Sequence, residues 1–205
     1  MLAVIDQTRG GEGTSHRIEG LRPRLSPGIP VWSGEPLAGR TLYIVAEQGL
    51  GDTLQLVRFA SRARALGAGR VVVLAQPPSV RLVRGAAGVD EVVALGEHTV
   101  APNDPPALQV GAFSLPRLAG DPGVPAAPGG YLRAEGALVT RWRERLAALT
   151  PPDVRLRIGI GWQGNPQYRA DARRSIPLIE LAPLARVPGV RLFSLQKGHG
   201  TEQLS

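Results

Sequence analysis

The sequence predicts an α/β protein: a Rossmann-like parallel sheet in its first part, and the start of a second, incomplete Rossmann-like lobe in its last part. Short runs rich in β-branched residues alternate with helical patterns over residues 41–95. A glycine-rich turn joins the first strand to its helix, and a strand followed by a turn and a helix begins again at residue 156. Alternation of this kind, with short connections, is typical of parallel sheets with right-handed crossovers.

The rest of the chain is organised around residues 41–67, TLYIVAEQGLGDTLQLVRFASRARALG. Residues 42–46 predict a buried strand and residues 47–52 a turn, and from Leu54 onward apolar residues recur at helical spacing. Ligands of open α/β sheets bind beyond the carboxyl ends of the strands, where a helix N-terminus offers free N–H groups to an anion. Asp52 lies at or just before that helix start.

This turn does not match either of two familiar nucleotide-binding motifs. Residues 49–54, GLGDTL, have Leu54 where the dinucleotide fingerprint needs Gly or Ala, and the second strand ends at Gln76 with no acidic residue for a ribose. No Gly-Lys-Ser/Thr follows the turn, which excludes a phosphate-binding P-loop. A nicotinamide or flavin role is therefore disfavoured.

Further strands are expected at residues 70–75 (RVVVLA) and 91–95, with a short helix that starts at the proline pair 77–78 between them. The first of these strands is a continuous β-branched run, which is typical of a strand covered on both faces. These elements complete the predicted pattern of alternating strands and helices.

Residues 96–130 contain seven prolines, which exclude a long helix. A short strand at 108–110 and a turn at 114–116 are expected within this segment. A long segment of this kind in a compact domain is either a functional lid or a variable surface excursion, and the sequence does not choose between them.

The predicted organisation has four parts: a loosely ordered N-terminal arm at 1–33, a Rossmann-like lobe at 34–133, a linker helix at 134–152 and the start of a C-terminal lobe at 153–205. The linker helix is amphipathic over residues 136–149. One strand, one helix and one strand do not bury both faces of a parallel sheet, since a complete lobe needs roughly 100 residues. We therefore expect that the last lobe is truncated or that its strands join the first sheet.

The charge raises the question of nucleic acid, because the formal net charge is +7 and the isoelectric point is about 11.1. However, Lys197 is the only lysine, and the arginines are scattered among Ala, Gly and Pro, as a GC-rich coding bias would place them. Aromatic residues make up 4% of the chain, too few for stacking platforms. A nucleic-acid-binding function, for which the affinity would fall steeply as the salt concentration rises, is disfavoured.

Cysteine is absent, and this excludes disulfides, thiol nucleophiles and Cys-ligated zinc. His16, His98 and His199 lie far apart, and no metal site is expected. The N-terminus lacks a signal-peptide pattern, and no stretch reaches the about 20 apolar residues of a membrane span. The expected location is the cytoplasm.

Several short motifs occur in a fixed order: WSGEPLAGR at 32–40, EQGLGDTLQ at 47–55, SLP at 114–116, GWQGNP at 161–166, RSIPL at 174–178 and SLQKG at 194–198. Together they resemble the glycosyltransferase-like domain found behind tetratricopeptide repeats in bacterial proteins. That domain is similar to the glycosyltransferase family 9 heptosyltransferases of lipopolysaccharide synthesis. The resemblance spans residues 30–198, which makes it more specific than any one motif.

The resemblance implies a GT-B architecture of two Rossmann-like lobes, with the acceptor on the first and a nucleotide-sugar donor on the second. It implies inverting, metal-independent transfer of a sugar to an acceptor hydroxyl, with no cofactor beyond the nucleotide-sugar. The acceptor would be a glycan, a lipid-linked molecule or a protein, and peripheral membrane association is compatible with such a role.

By the same resemblance, Asp52 matches the general base. The predicted substrate or donor contacts are Gln48, Gly49 and Gly51 in the first lobe, and Gln163, Asn165, Arg173, Arg174 and Lys197 in the second. The chemistry needs a carboxylate near the attacking oxygen and positive charge or N–H groups near the leaving phosphates.

Each of these residues also has a purely structural interpretation. Asp52 would cap the following helix, the amides would close their own turns, and the cations would be ordinary solvated charges. Glu47 is either a second acid or, more simply, a salt-bridge partner at a strand end. These alternatives remain open at the level of sequence.

The sequence departs from the family pattern in two places. The segment before SLP, residues 108–113 (LQVGAF), lacks the Asp-x-His-like polar pattern of the family. By the same pattern we expect a longer donor lobe than residues 153–205 provide, and a repeat region before the domain. A catalytically inactive binding or scaffold module is therefore the alternative function.

Overall fold

The computed structural model describes residues 28–96, 106–120 and 130–204. The chain divides into two compact units, Met1–Ala134 and Glu135–Ser205. The boundary falls just before the predicted linker helix, so that helix belongs to the second unit. Parts of the predicted arm and of the proline-rich segment lie outside the described residues.

The first unit contains a sheet of four parallel strands in the order β3-β2-β1-β4. The strands are β1 (Thr41–Val45), β2 (Arg70–Ala75), β3 (Glu91–Ala94) and β4 (Ala107–Gly111). All residues of β1 are buried, because β2 and β4 flank it and the sheet is covered on both faces. The predicted α/β class with a parallel sheet is confirmed.

Short helices connect the strands. They are α1 (Leu50–Leu56) and α2 (Ala60–Ala65), joined by a 3-10 turn at Val57–Phe59, then α3 (Val80–Val83) after β2 and α4 (Leu115–Leu118) after β4. The helix predicted after the glycine turn is thus interrupted by a tighter turn. The predicted turn at 114–116 leads directly into α4, with Pro116 in its first turn, where a missing N–H costs nothing.

The core lies on both faces of this sheet and follows the alternation of side chains along its strands. On one face, Leu42 and Ile44 pack with Val71, Val73 and the helices. On the other face, Ile29 packs with the residues that alternate with these along β1 and β2, namely Tyr43, Val45, Val72 and Leu74. This alternation fixes the register, since a slip of one residue would move each buried side chain to the opposite face.

The outer side of β4 is covered by residues 29–32. Val31 forms a parallel bridge with Gln109, and the amide of Trp32 donates to the Gln109 carbonyl oxygen at 2.8 Å. The Gln109 side-chain Nε2 donates to the Ile29 carbonyl oxygen at 2.5 Å. Residues 1–27 of the predicted loose arm lie outside the described part, but its last residues are packed against the sheet.

The backbones of Gly69 and Gly39 lie very close together at the start of the sheet. A Cβ atom on Gly69 would lie 2.0 Å from the Gly39 carbonyl oxygen, so Gly69→Ala forces two backbone segments apart. We expect a loss of about 1–3 kcal/mol in the free energy of unfolding, measured by urea titration.

Gly51→Ala is the matched control for this substitution. Gly51 is helical and a Cβ there has no atom within 4 Å, so alanine should stabilise the unit by about 0.5–1 kcal/mol. Equal effects of the two substitutions would contradict the role given to the contact between Gly69 and Gly39.

The second unit contains the parallel pair β5 (Leu156–Ile160) and β6 (Val190–Ser194), which forms a sheet of its own. The helix α5 (Gly136–Ala148) precedes it, and a 3-10 turn at Leu178–Leu181 runs into α6 (Ala182–Ala185) between the strands. Of the two alternatives expected for the last lobe, the one in which its strands join the first sheet is therefore wrong.

The predicted amphipathic helix is present as α5, but none of its residues is buried. Trp142, on its apolar side, is 53% exposed and lies against the Arg145 guanidinium. None of the helices in the described ranges has the length and apolarity needed to cross a lipid bilayer.

Candidate functional site

The first unit brings polar side chains together at the carboxyl edge of its sheet. Glu47 follows β1, Gln76 follows β2 and Gly111 ends β4. Because all four strands are parallel, these ends share one edge, and α1 begins there as well. The predicted site residues Gln48, Gly49, Gly51 and Asp52 all lie in this turn or in the first turn of α1.

Asp52 lies in the first turn of α1, and its side chain is half-buried. Its Oδ2 atom accepts a hydrogen bond of 3.0 Å from the backbone N–H of Gly49, the residue that caps the helix. The carboxylate thus reaches back across the first turn, as an acidic residue at this position does in a capping box. Its other oxygen has no hydrogen-bond partner within the described residues.

Gln76 joins the end of β2 to the glycine turn. Its Oε1 atom accepts from the Thr53 hydroxyl at 2.8 Å, and its Nε2 atom donates to the Gln48 carbonyl oxygen at 2.5 Å. In the sequence, Gln76 was notable only because the second strand ends there without an acidic residue. A polar residue directly after a buried strand was the available signal for this contact.

Glu47 forms no salt bridge with the described residues and instead contacts the loop after β4. Its Oε2 atom accepts from the backbone N–H of Phe113 at 2.9 Å. A Cβ atom on Gly111 would lie 2.5 Å from the same oxygen, so the absent side chain of Gly111 leaves the space that the carboxylate fills. Glu47 therefore holds the loop after β4 against the end of β1. The simpler prediction, a salt bridge, is wrong within the described residues.

In the second unit, Gln196 ties together the loops that follow β5 and β6. Its Oε1 atom accepts from the backbone N–H groups of Trp162 and Gln163 at 3.0 and 3.1 Å, and its Nε2 atom donates to the Gln163 carbonyl oxygen at 3.0 Å. Trp162 is 2% exposed, and its indole N–H donates to the Gly200 carbonyl oxygen. Gln196 belongs to the motif SLQKG, but no role was predicted for it.

A buried carboxylate organises the loop after β5. Asp171 is 7% exposed; its Oδ1 atom accepts from Arg174 Nε at 3.0 Å, and its Oδ2 atom accepts from the Ser175 hydroxyl at 2.9 Å. The Ser175 oxygen in turn accepts from the Gly164 N–H at 3.0 Å. The Arg174 guanidinium lies over the Tyr168 ring, 4.6 Å from its centre. We call these five residues the Asp171 cluster.

A shallow depression of about 570 Å³ lies beside this cluster. Tyr168, Asp171 and Ser175 contribute to its wall, together with Gln163 and Gln203. Asp171 and Ser175 were not predicted as site residues. The signal was the spacing, because an acid followed three and four residues later by Arg and Ser permits such contacts within one turn.

The predicted donor contacts of the second unit have different surroundings. Gln163 and Arg174 lie in the network at the carboxyl ends of β5 and β6, through Gln196 and Asp171 respectively. Asn165 closes its own turn, because its Oδ1 atom accepts from the Gln167 N–H at 3.0 Å. Arg173 and Lys197 are exposed and form no ion pair with the described residues.

No group of three or more His, Cys, Asp or Glu side chains in the described ranges is arranged to hold a metal ion. Such a grouping would have been the structural signal for a metal centre.

Comparison with known proteins gives one relative to consider. The chain is 25% identical over 228 residues to Protein FlbA of Caulobacter vibrioides, an alignment that covers 96% of this chain. The chain spans 36% of the length of that relative. No protein-family model matches the sequence, and no solved structure matches it either.

Proposed function

We propose that the protein is a glycosyltransferase-like protein of GT-B architecture, which transfers a sugar with inversion from a nucleotide-sugar to an acceptor hydroxyl without a metal ion. The observation that carries the proposal is the place of Asp52, a half-buried carboxylate in the first turn of α1 at the carboxyl edge of a parallel sheet. That edge is where α/β proteins of this kind bind their ligands.

In the proposed reaction, the acceptor hydroxyl loses its proton to Asp52 as its oxygen attacks the anomeric carbon. The Oδ2 atom is held by the Gly49 N–H, which leaves Oδ1 for the proton. A fixed carboxylate of this kind acts as a general base without reorganising during the reaction. The bond from the sugar to the nucleoside diphosphate breaks at the same carbon, and the negative charge moves to the leaving phosphate.

The second unit supplies the groups for that leaving phosphate in this proposal. Arg174 is held at the carboxyl ends of β5 and β6, and the exposed cations Arg173 and Lys197 lie in loops that follow the same strands. Fixed N–H donors and positive charge stabilise a diphosphate as it departs. The acceptor, whether a glycan, a lipid-linked molecule or a protein, belongs to the first unit. A cytoplasmic location and peripheral association with a membrane are part of the same proposal.

A second candidate function is a binding or scaffold module without catalysis. It is favoured by the hydrogen bond from Gly49 to Asp52, because this bond gives the carboxylate a structural task that needs no substrate. The two candidates agree on nucleotide-sugar binding and differ only in turnover.

Isothermal titration calorimetry with ADP, GDP, UDP and their sugar conjugates tests the proposal. We expect saturable binding of at least one nucleoside diphosphate in buffer containing a chelator, since no metal is required. Binding without turnover of any sugar conjugate would support the scaffold module. Absence of binding by every compound in the panel would defeat both candidates.

A further inference from the structure

Two members of the Asp171 cluster contact the Arg174 guanidinium from different directions. Asp171 accepts from Nε at one edge of the guanidinium, and the Tyr168 ring covers its flat face. An arginine side chain on a surface loop normally samples many rotamers, and ordering it on ligand binding lowers affinity. Here two contacts, one ionic and one aromatic, restrict Arg174 before any ligand arrives.

The carboxylate of Asp171 is itself fixed. Its second oxygen accepts from the Ser175 hydroxyl, whose oxygen accepts from the Gly164 N–H. A Cβ atom on Gly164 would lie 2.3 Å from Asp171 Oδ1 and 2.9 Å from Arg174 Nη2. The loop after β5 therefore closes directly onto the ion pair, and this requires glycine at that position.

The remaining donors of Arg174 lie on its two Nη groups. Neither Nη group donates a hydrogen bond to the described residues, and the side chain is 54% exposed. Asp171 engages only the Nε donor, and the donors of the two Nη groups are left for a ligand, such as an oxyanion whose two oxygens accept parallel hydrogen bonds.

We propose that Asp171 and Tyr168 are positioning residues that orient the Nη groups of Arg174 toward the diphosphate of the donor. The inference rests on the proposed function, because it takes the donor diphosphate as the ligand of Arg174. Asp171 and Tyr168 do not touch the ligand. They act through Arg174, and Ser175 and Gly164 hold Asp171 in place.

If Asp171 acted only through its charge, its substitution would change the affinity for diphosphate in the direction opposite to that expected of a positioning residue. Asp171→Asn removes a negative charge beside the guanidinium, so a purely electrostatic influence would tighten diphosphate binding. A positioning role predicts weaker binding, because the charge-assisted bond that fixes Nε is lost. The direction of the change therefore separates the two explanations.

The experiment measures the affinity for ADP, GDP and UDP by calorimetry in a double-mutant cycle. We expect Asp171→Asn and Tyr168→Ala each to weaken the best-bound of these probes about 2- to 10-fold. Tyr168→Phe, which keeps the ring, should bind as the native protein does. In an Arg174→Ala background, Asp171→Asn and Tyr168→Ala should have no further effect, which a general loss of structure would not produce.

Tyr168 is 51% exposed, so its substitution keeps the test informative even where Asp171→Asn fails to fold. Additive effects in the cycle, or tighter binding by Asp171→Asn, would overturn the inference while leaving the proposed function intact. Native protein that binds none of the three probes would instead defeat the proposed function, and with it the ligand assigned to Arg174.

Discussion

Replacing Asp52 with asparagine is expected to lower the rate of sugar transfer about a hundred- to ten-thousand-fold, the range that a positioned general base contributes. Asparagine is isosteric and its amide oxygen still accepts from the Gly49 N–H, so the first turn of α1 stays capped. The substitution thus removes the base and leaves the structural task in place. The measurement is the turnover of the sugar conjugate selected by calorimetry, with donor affinity measured alongside.

Asp153→Asn is the matched control for this experiment. Asp153 is exposed and lies outside both groups of candidate site residues, so its substitution should change neither turnover nor binding. Full activity of Asp52→Asn would rule out the carboxylate as the base. A native protein that binds the donor without turnover, with Asp52→Asn binding equally well, would leave the scaffold module as the function.

Trp32→Ala is expected to cost about 3–5 kcal/mol in the free energy of unfolding, the usual effect of truncating a fully buried tryptophan. Trp32 is 1% exposed and packs in the main core of the first unit. Its indole N–H donates to the Glu35 carbonyl oxygen at 2.7 Å, so truncation removes both packing and a hydrogen bond. Urea unfolding followed by far-UV circular dichroism measures the loss.

Trp142→Ala provides the comparison, because Trp142 is 53% exposed on α5 and alanine favours the helix. We expect a change there within about 0.5 kcal/mol, as for other surface substitutions. If both tryptophans proved equally costly or equally tolerant, the packing of residues 29–32 against the sheet would not contribute to stability as the structure implies.

The strands of the first unit were largely predictable from the sequence, because a parallel strand buried on both faces is an unbroken apolar run. Residues 70–75 illustrate this, since the predicted and observed bounds coincide. The edge that carries Asp52 followed from the same reasoning, because a glycine turn between a strand and a helix marks the carboxyl end of the strand. Periodicity and turn chemistry are local properties and can be recognised without knowing the fold.

Contacts between distant segments were not predictable. The interaction of Glu47 with Gly111 and Phe113 depends on β1 and β4 being neighbours, and sequence order gives no direct sign of that pairing. Gln196 likewise reaches a turn more than thirty residues earlier in the chain. The amphipathic pattern of α5 was predicted correctly, yet none of its residues is buried, because burial requires a partner surface and amphipathicity alone does not supply one.

The strip formed by residues 29–32 has a consequence for solubility. An edge strand with free N–H and C=O groups is a template on which another chain can add its own strand, and such pairing leads to aggregation. Val31 and its neighbours occupy that position on β4, so the donors and acceptors of Gln109 are satisfied within the same molecule. Removing the chain up to and including Trp32 would therefore expose the unpaired edge of β4. The shortened protein should self-associate at concentrations where the longer protein remains monomeric.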